Sequence, residues 1–283
     1  MTSLYASEIK CWHFVAPEDI PRAFDQVLVK PWFHDALLRL TPEIATQPDR
    51  ADTVFHRLKA LLMSVQGDGL VRCNELFAQW LRGEKSMPFG ENNEHTPVRL
   101  IDFENLSNND YVVTNQCIYP TKEGGHRMDV VLLVNGIPLV IGEAKTSVRP
   151  AVTGMYGTSD IHNGYKKTVP QLFVPSVFSF ATEGKCFRYG SVRMPLEFLG
   201  PWHNPANKSE GTLLDVQRSA RSILQPHIIL DTLQNFTLFG TDKKHRYIKI
   251  IARYQQYGAQ ISSSSVSWPA GPKRSDLAFL GVR

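Results

Sequence analysis

Asp129, Glu143 and Lys145 stand within one short stretch, RMDVVLLVNGIPLVIGEAK (127–145), that is otherwise almost wholly apolar. Two carboxylates beside an ammonium are the groups that hold a divalent cation against a phosphate. Ionised groups in apolar surroundings cost several kcal/mol unless something compensates them, so a metal or a functional cleft is the natural reason for their presence. The alternative is an ion pair at a sheet edge. Glu-x-Lys alone is a weak signal, since Glu8-Ile9-Lys10 satisfies it by chance. The string at 143–145 stands apart because it ends an apolar run and has an aspartate 14 residues upstream across a turn.

The elements that must position these groups are two strands. Met128 to Val134 and Pro138 to Ile141 flank Asn135-Gly136, the strongest short-range hairpin signal. Both residue parities are apolar, which predicts strands buried on both faces. Register then decides whether the charges meet. A strict two-residue loop pairs Val134 with Ile137 and sets Met128 opposite Glu143. A three-residue loop over 135–137, with Gly136 left-handed, pairs Val134 with Pro138 and sets Asp129 opposite Glu143. Glu143 and Lys145 share a face in either case, because strand side chains alternate. The three-residue loop is the expected one.

Before the hairpin, a first helix ends near Leu40. Asp52 reads as the N-cap of a helix through about Val65, with Phe55, Leu58, Leu61 and Leu62 as its apolar stripe. Gly67-Asp68-Gly69 turns into a further helix with Phe77, Trp80 and Leu81 inward and Gly83 at its end. Glu75 on that helix is a candidate auxiliary ligand, with a solvated surface carboxylate as the plainer reading. Residues 84–97 read as loop, Val98 to Phe103 and Tyr111 to Tyr119 as strands. Beyond the hairpin, Ser176 to Thr182 and Cys186 to Tyr189 read as strands. Leu213 to Leu224 and His227 to Leu238 fit helix or strand. Thr241 to Arg253 is basic, either a strip facing nucleic acid or a solvated helix face. Helices, then a run of mainly antiparallel strands, then helices predict an α/β fold with a mixed central sheet.

The 283 residues suffice for one domain and a smaller appendage. No apolar run approaches the roughly 20 residues that span a bilayer, and the N-terminus lacks a basic-then-apolar leader, so a cytoplasmic protein with no membrane partner is expected. Cys11, Cys73, Cys117 and Cys186 form no Cys-x-x-Cys pair and read as reduced, partly buried thiols. The net charge of +4 permits a polyanionic partner without demanding one. Nucleophile-elbow, zinc-protease and phosphate-loop motifs are absent from the sequence. Tyr111, Tyr165 and Phe173 could stack on bases or pack in the core.

NELFAQWLRGE (74–84), VRLIDFENLSNNDYVVTNQ (98–116), RMDVVLLVNGIPLVIGEAK (127–145) and PQLFVPSVFSFATEG (170–184) resemble, in order, the N-terminal nuclease domain of the restriction (R) subunit of type I restriction-modification enzymes. KIIARYQQYGA (249–259) resembles the segment leading into that subunit's helicase motor. The resemblance implies a restriction-endonuclease-like PD-(D/E)xK fold that hydrolyses DNA phosphodiesters with Mg²⁺. Carried over by position, Asp129 and Glu143 bind the metal with help from the Ala144 carbonyl, and Lys145 positions the attacking water and stabilises charge on the phosphate. Tyr165 fits an auxiliary tyrosine, with Ile161 where related nucleases carry glutamine. The implied partners are double-stranded DNA and the methyltransferase and specificity subunits. The chain is expected to divide into N-terminal helices and endonuclease domain (1–200), a connector toward the helicase motor (201–259), and a loosely ordered tail (260–283) foreign to the fold. It is expected to be a fragment that binds no ATP. A different class of function, a catalytically silent fragment docking on DNA or partner subunits, remains open at this stage, as does another nuclease of the same superfamily.

Overall fold

Apolar β-formers punctuated by turn signals run from Tyr111 to Gly190, and in the computed structural model they build most of a six-stranded sheet. The structure describes residues 12–121, 124–145, 164–195, 198–203 and 211–264, with side chains to 259. Spatial order follows chain order: β1 (His13–Phe14), β2 (Tyr111–Tyr119), β3 (His126–Val134), β4 (Ile137–Lys145), β5 (Phe178–Glu183) and β6 (Cys186–Gly190). The β1–β2 and β4–β5 pairs are parallel and the rest antiparallel, so the sheet is mixed. Helices α1 (Lys30–Leu40), α2 (Asp49–Met63) and α3 (Leu70–Leu81) precede the central strands, while α4 (Leu213–Ile223) and α5 (Pro226–Asn235) follow them. A separate hairpin joins β7 (Thr237–Thr241) to β8 (Tyr247–Ile251). The chain through Ile251 forms one compact unit of α/β type with helices flanking the mixed sheet; a second unit from Ala252 contains α6 (Tyr254–Ser264). Helix α6 crosses the tail boundary expected at 260, and residues 265–283 of that tail lie outside the described residues.

The hairpin turn differs from expectation. Val134 pairs with Ile137, giving a two-residue loop, with Asn135 and Gly136 at φ 52° and 76°. Positive φ at both positions is the turn geometry whose twist suits a tight hairpin. Asn135 is buried, and its side chain donates to the Leu100 carbonyl and Asn109 Oδ1 and accepts from the Asp110 amide. Gly136 offers its carbonyl to the Val29 amide at the start of α1. A Cβ there would lie 2.8 Å from the Val29 carbonyl oxygen, so the turn docks closely against the helix.

Four further expectations need correction. Val98 to Phe103 forms no strand, although Val98, Leu100 and Ile101 are buried. Asp102 Oδ1 there accepts from the Glu104 and Asn105 amides, so a side chain takes backbone donors that a ladder would use. Residues 84–97 are not all loop, since Ser86–Met87 pairs with Thr96–Pro97. Helix α2 begins at Asp49, leaving Asp52 inside its first turn in an ion pair with Lys30 at 2.7 Å rather than capping. Thr241 to Arg253 contains a hairpin strand instead of a helix face, and Lys249 is buried rather than part of a surface strip. Leu213 to Leu224 and His227 to Leu238 resolve largely as α4 and α5, the first opened by a Thr212–Asp215 capping box. Phe77, Trp80 and Leu81 face inward as expected. Cys73 and Cys117 are buried free thiols and Cys186 is partly buried and free; Cys11 lies outside the described residues.

Two lysines are buried against neutral groups. Lys249 Nζ donates to the Ser176 and Val177 carbonyls at 2.9 and 2.8 Å, just ahead of β5. Lys166 Nζ reaches Ser179 Oγ at 3.2 Å and the Ser191 carbonyl at 3.5 Å, over the Phe173 ring. Burial pushes the Lys166 amine down to about 7, and burial, with Arg82 and Lys166 nearby, pushes Lys249 well below its ordinary value. The unfolded chain keeps Lys166 protonated up to its ordinary 10.5, while the folded amine loses its proton near 7. The unfolded state therefore binds more protons in that window, so stability is fully present above 10.5 and is lost as pH falls toward 7. Lys166→Met should flatten this slope: the variant gains on the native chain by on the order of a few kcal/mol at pH 7 relative to pH 10, read by urea unfolding at both values. Equal slopes in the two proteins would show that Lys166 stays charged. Gly136→Ala should lower stability by roughly 1–3 kcal/mol, because alanine is strained at that φ and meets α1 backbone; thermal unfolding reads the loss.

Candidate active site

Pro138 sits in a strand that pairs on both sides, yet it has no N–H to give to a ladder, a residue that central strands accommodate at bulges. The pairing follows that rule. Leu133 opposes Pro138, but Leu132 opposes Val140, so Leu139 is the extra residue of a bulge. Its carbonyl accepts from the Val177 amide at 2.7 Å, which leads the chain into β5. From Val140 onward each partner is offset by one, through Val131–Ile141 and Val130–Gly142. Continued by one pair, that register sets Asp129 across from Glu143. Along that register a tight turn plus a bulge aligns the strands, where the sequence reading placed a longer turn.

Asp129 is half-buried and held through both oxygens. Oδ2 accepts from the Ala144 amide at 2.9 Å and Oδ1 from the Gln116 side chain at 3.1 Å. Glu143 is 3% exposed, and its Oε1 accepts from Lys145 Nζ at 2.6 Å. The Tyr165 hydroxyl lies 3.4 Å from both Glu143 oxygens. Its ring packs against His126 of β3 with centroids 4.8 Å apart. Tyr165 caps the short helix Lys166–Thr168, which buried Lys166 anchors to β5 through Ser179. Gly142, just before Glu143, has no side chain because the Phe180 ring of β5 occupies the space where a Cβ would stand.

Glu75 does not join this group. It pairs with Arg72 on its own helix and meets Tyr247 of β8. Ile161 lies outside the described residues. Tyr111, half-buried, packs edge-on against Trp12 and donates to the Leu106 carbonyl, and Phe173 is fully buried in the core. Gln116 was missed by sequence reasoning. It sits opposite Asp129 in the β2–β3 register, a relation that becomes visible only once the strands are paired.

The donor set suits a hard cation. Both carboxylates offer oxygen, and each Asp129 oxygen keeps a lone pair beyond its one hydrogen bond. Among the described residues no third His, Cys, Asp or Glu completes a cage. Mg²⁺ requires none, since it commonly binds through one or two carboxylates and retains waters or takes phosphate oxygens. Transition metals that prefer imidazole or thiolate find no such donor in this group. Lys145, 28% exposed, presents an ammonium beside the carboxylates and reachable from solvent.

Residues 7–198 match the family model described as type I restriction enzyme R protein N terminus. The chain is 32% identical over 248 residues to the type I restriction enzyme HindI endonuclease subunit of Haemophilus influenzae, covering 84% of this chain and 23% of that protein. It is 28% identical over 204 residues to the putative type I restriction enzyme MjaIXP endonuclease subunit of Methanocaldococcus jannaschii, covering 65% of this chain and 19% of that one. The putative MjaVIIIP endonuclease subunit of the same organism is 29% identical over 167 residues, covering 57% and 15%. The chain spans less than a quarter of the length of these curated relatives. With the matched region holding the whole Asp129–Glu143–Lys145 hairpin, the chain belongs to the family of type I restriction enzyme R protein N termini.

Proposed function

We propose that this chain is the endonuclease module of a type I restriction enzyme R subunit, a restriction-endonuclease-like PD-(D/E)xK domain that hydrolyses phosphodiester bonds of double-stranded DNA with Mg²⁺. The observation that carries this reading is the tie of Asp129 to the Ala144 amide, between Glu143 and the Lys145 that pairs with it, at the end of one buried hairpin whose register a tight turn and a bulge set together. Asp129 and Glu143 hold the cation, with the Ala144 carbonyl as a further oxygen. A bound Mg²⁺ supplies Lewis acidity to the scissile phosphate and to a water.

The chain's own groups do the rest. Asp129 is oriented before any ligand arrives, because each of its oxygens already has a fixed donor. Lys145 brings a positive charge to where the phosphate gathers negative charge, a role that needs preorganisation rather than proton transfer. Tyr165 offers its hydroxyl to Glu143 and limits how that carboxylate can rotate. Sequence-specific recognition falls to a specificity subunit, methylation to a methyltransferase subunit, and ATP-driven translocation to parts of the R subunit that this chain does not match. The assembly works in the cytoplasm. Among the described residues no helix is long and apolar enough to cross a membrane.

Calorimetric titration with Mn²⁺ tests the site directly. The native chain should bind, Asp129→Ala should not, and Glu143→Gln should lose metal-dependent nicking of supercoiled plasmid by at least about a hundredfold while its melting temperature stays near the native one. Absence of binding in the native chain would reduce the hairpin to a structural ion pair. Lys145→Met should separate the roles: metal binding persists, because an ammonium is no ligand, whereas nicking falls by about a hundredfold or more. Metal binding without nicking in the native chain would favour a silent docking module instead.

A further inference from the structure

Gln116 has the one left-handed backbone in the described part of the main sheet's strands, φ 51°, at a residue type that gains nothing from it. Such a conformation costs on the order of 1–3 kcal/mol and persists only where the surroundings impose it. The pairing around it is regular. Asn115 opposes Val130 and Cys117 opposes Met128, so no residue is inserted or lost, and Gln116 falls directly across from Asp129. The strand is anchored beyond that point: Arg22 donates to the Ile118 carbonyl at 2.6 Å and to Cys117 Sγ at 3.3 Å, and lies over the Tyr119 ring. The side chain of Gln116 makes one hydrogen bond, from Nε2 to Asp129 Oδ1.

We propose that Gln116 is a positioning residue of the metal site: the strained backbone of β2 aims its amide at Asp129 and fixes the carboxylate in the orientation that receives a divalent cation. This rests on the metal-dependent nuclease reading above. The amide takes one lone pair of Oδ1 as the Ala144 N–H takes one of Oδ2, so the carboxylate is clamped from both neighbouring strands and presents its remaining lone pairs to one side. Outer groups that orient a ligand in this way typically change metal affinity ten- to hundredfold when removed.

The test is Gln116→Gly, since glycine adopts positive φ freely and keeps the backbone while removing the side chain with its amide. Titration of Mn²⁺ into the native chain, Gln116→Gly and Asp129→Ala is paired with thermal unfolding of all three, and of the double variant, in chelator. The expected result is binding weakened at least tenfold in Gln116→Gly with an unchanged or higher melting temperature. A residue that only stabilised the fold would instead lower it. In chelator, Gln116→Gly should raise the melting temperature more in the Asp129→Ala background, where the strain has lost its partner, than in the native one. Native-like Mn²⁺ affinity in Gln116→Gly would overturn the assignment while leaving the metal site standing, as would strictly additive melting shifts. No Mn²⁺ binding by the native chain would overturn the metal reading and this role with it.

Discussion

A strand pair that starts with Val134 against Ile137 and ends with Val130 against Gly142, one step short of Asp129 and Glu143, has to gain one residue on the way, and it does so at Leu139 beside Pro138. Without that residue the turn geometry would set Met128 opposite Glu143 and leave the two carboxylates out of register. The bulge also turns the Leu139 carbonyl toward Val177, the point where the chain enters β5. One backbone irregularity thus aligns the candidate site and helps start the parallel strand beside it. The turn itself is locked from outside by Asn135, whose buried amide ties the hairpin to Leu100, Asn109 and Asp110.

Charge in an apolar setting is the second constraint. Glu143 is almost fully removed from solvent, a position an ionised carboxylate holds only with compensation close by. Lys145, two residues on and on the same face, supplies it from a partly exposed position. Elsewhere in the interior, Lys166 and Lys249 receive only neutral oxygen acceptors, and burial favours their uncharged forms. The contrast separates two uses of buried ionisable groups. At the hairpin end the opposite charges meet at the rim of the sheet. In the interior the amines serve as hydrogen-bond donors that fasten the helix after Tyr165 and the approach to β5.

The site is assembled from four places in the chain. β2 supplies Gln116, β3 Asp129, β4 Glu143 and Lys145, and the short helix after them Tyr165. Three are strands of one sheet, so their relative positions are set by main-chain hydrogen bonds rather than by loops. That rigidity is what the proposed metal site would require of its support. The match to R protein N termini over residues 7–198 covers every one of these residues.

Much of this was legible locally. Asn135-Gly136 between apolar runs announced the hairpin, two apolar parities announced burial on both faces, and a carboxylate-rich end to a buried run singled out Asp129, Glu143 and Lys145. The helix periodicity of 70–81 and the glycine that ends it were equally plain. Other features lay beyond local pattern. Val98 to Phe103 has the apolar content of a strand, but Asp102 and Asn109 divert its backbone into a polar knot closed by Asn135, far along the chain. Lys249 looks like surface charge until β8 packs it beneath the carbonyls ahead of β5. Pro138 could have signalled the bulge, though only to a reader who already knew that its strand pairs on both sides. The sequence by itself determined which residues could do chemistry and the hairpin that carries them, because turn preference and apolar periodicity are local properties. The register that joins Asp129 to Glu143, and the placing of Gln116 and Tyr165 beside them, were decided only by tertiary structure, because strand pairing and burial depend on residues distant in the chain.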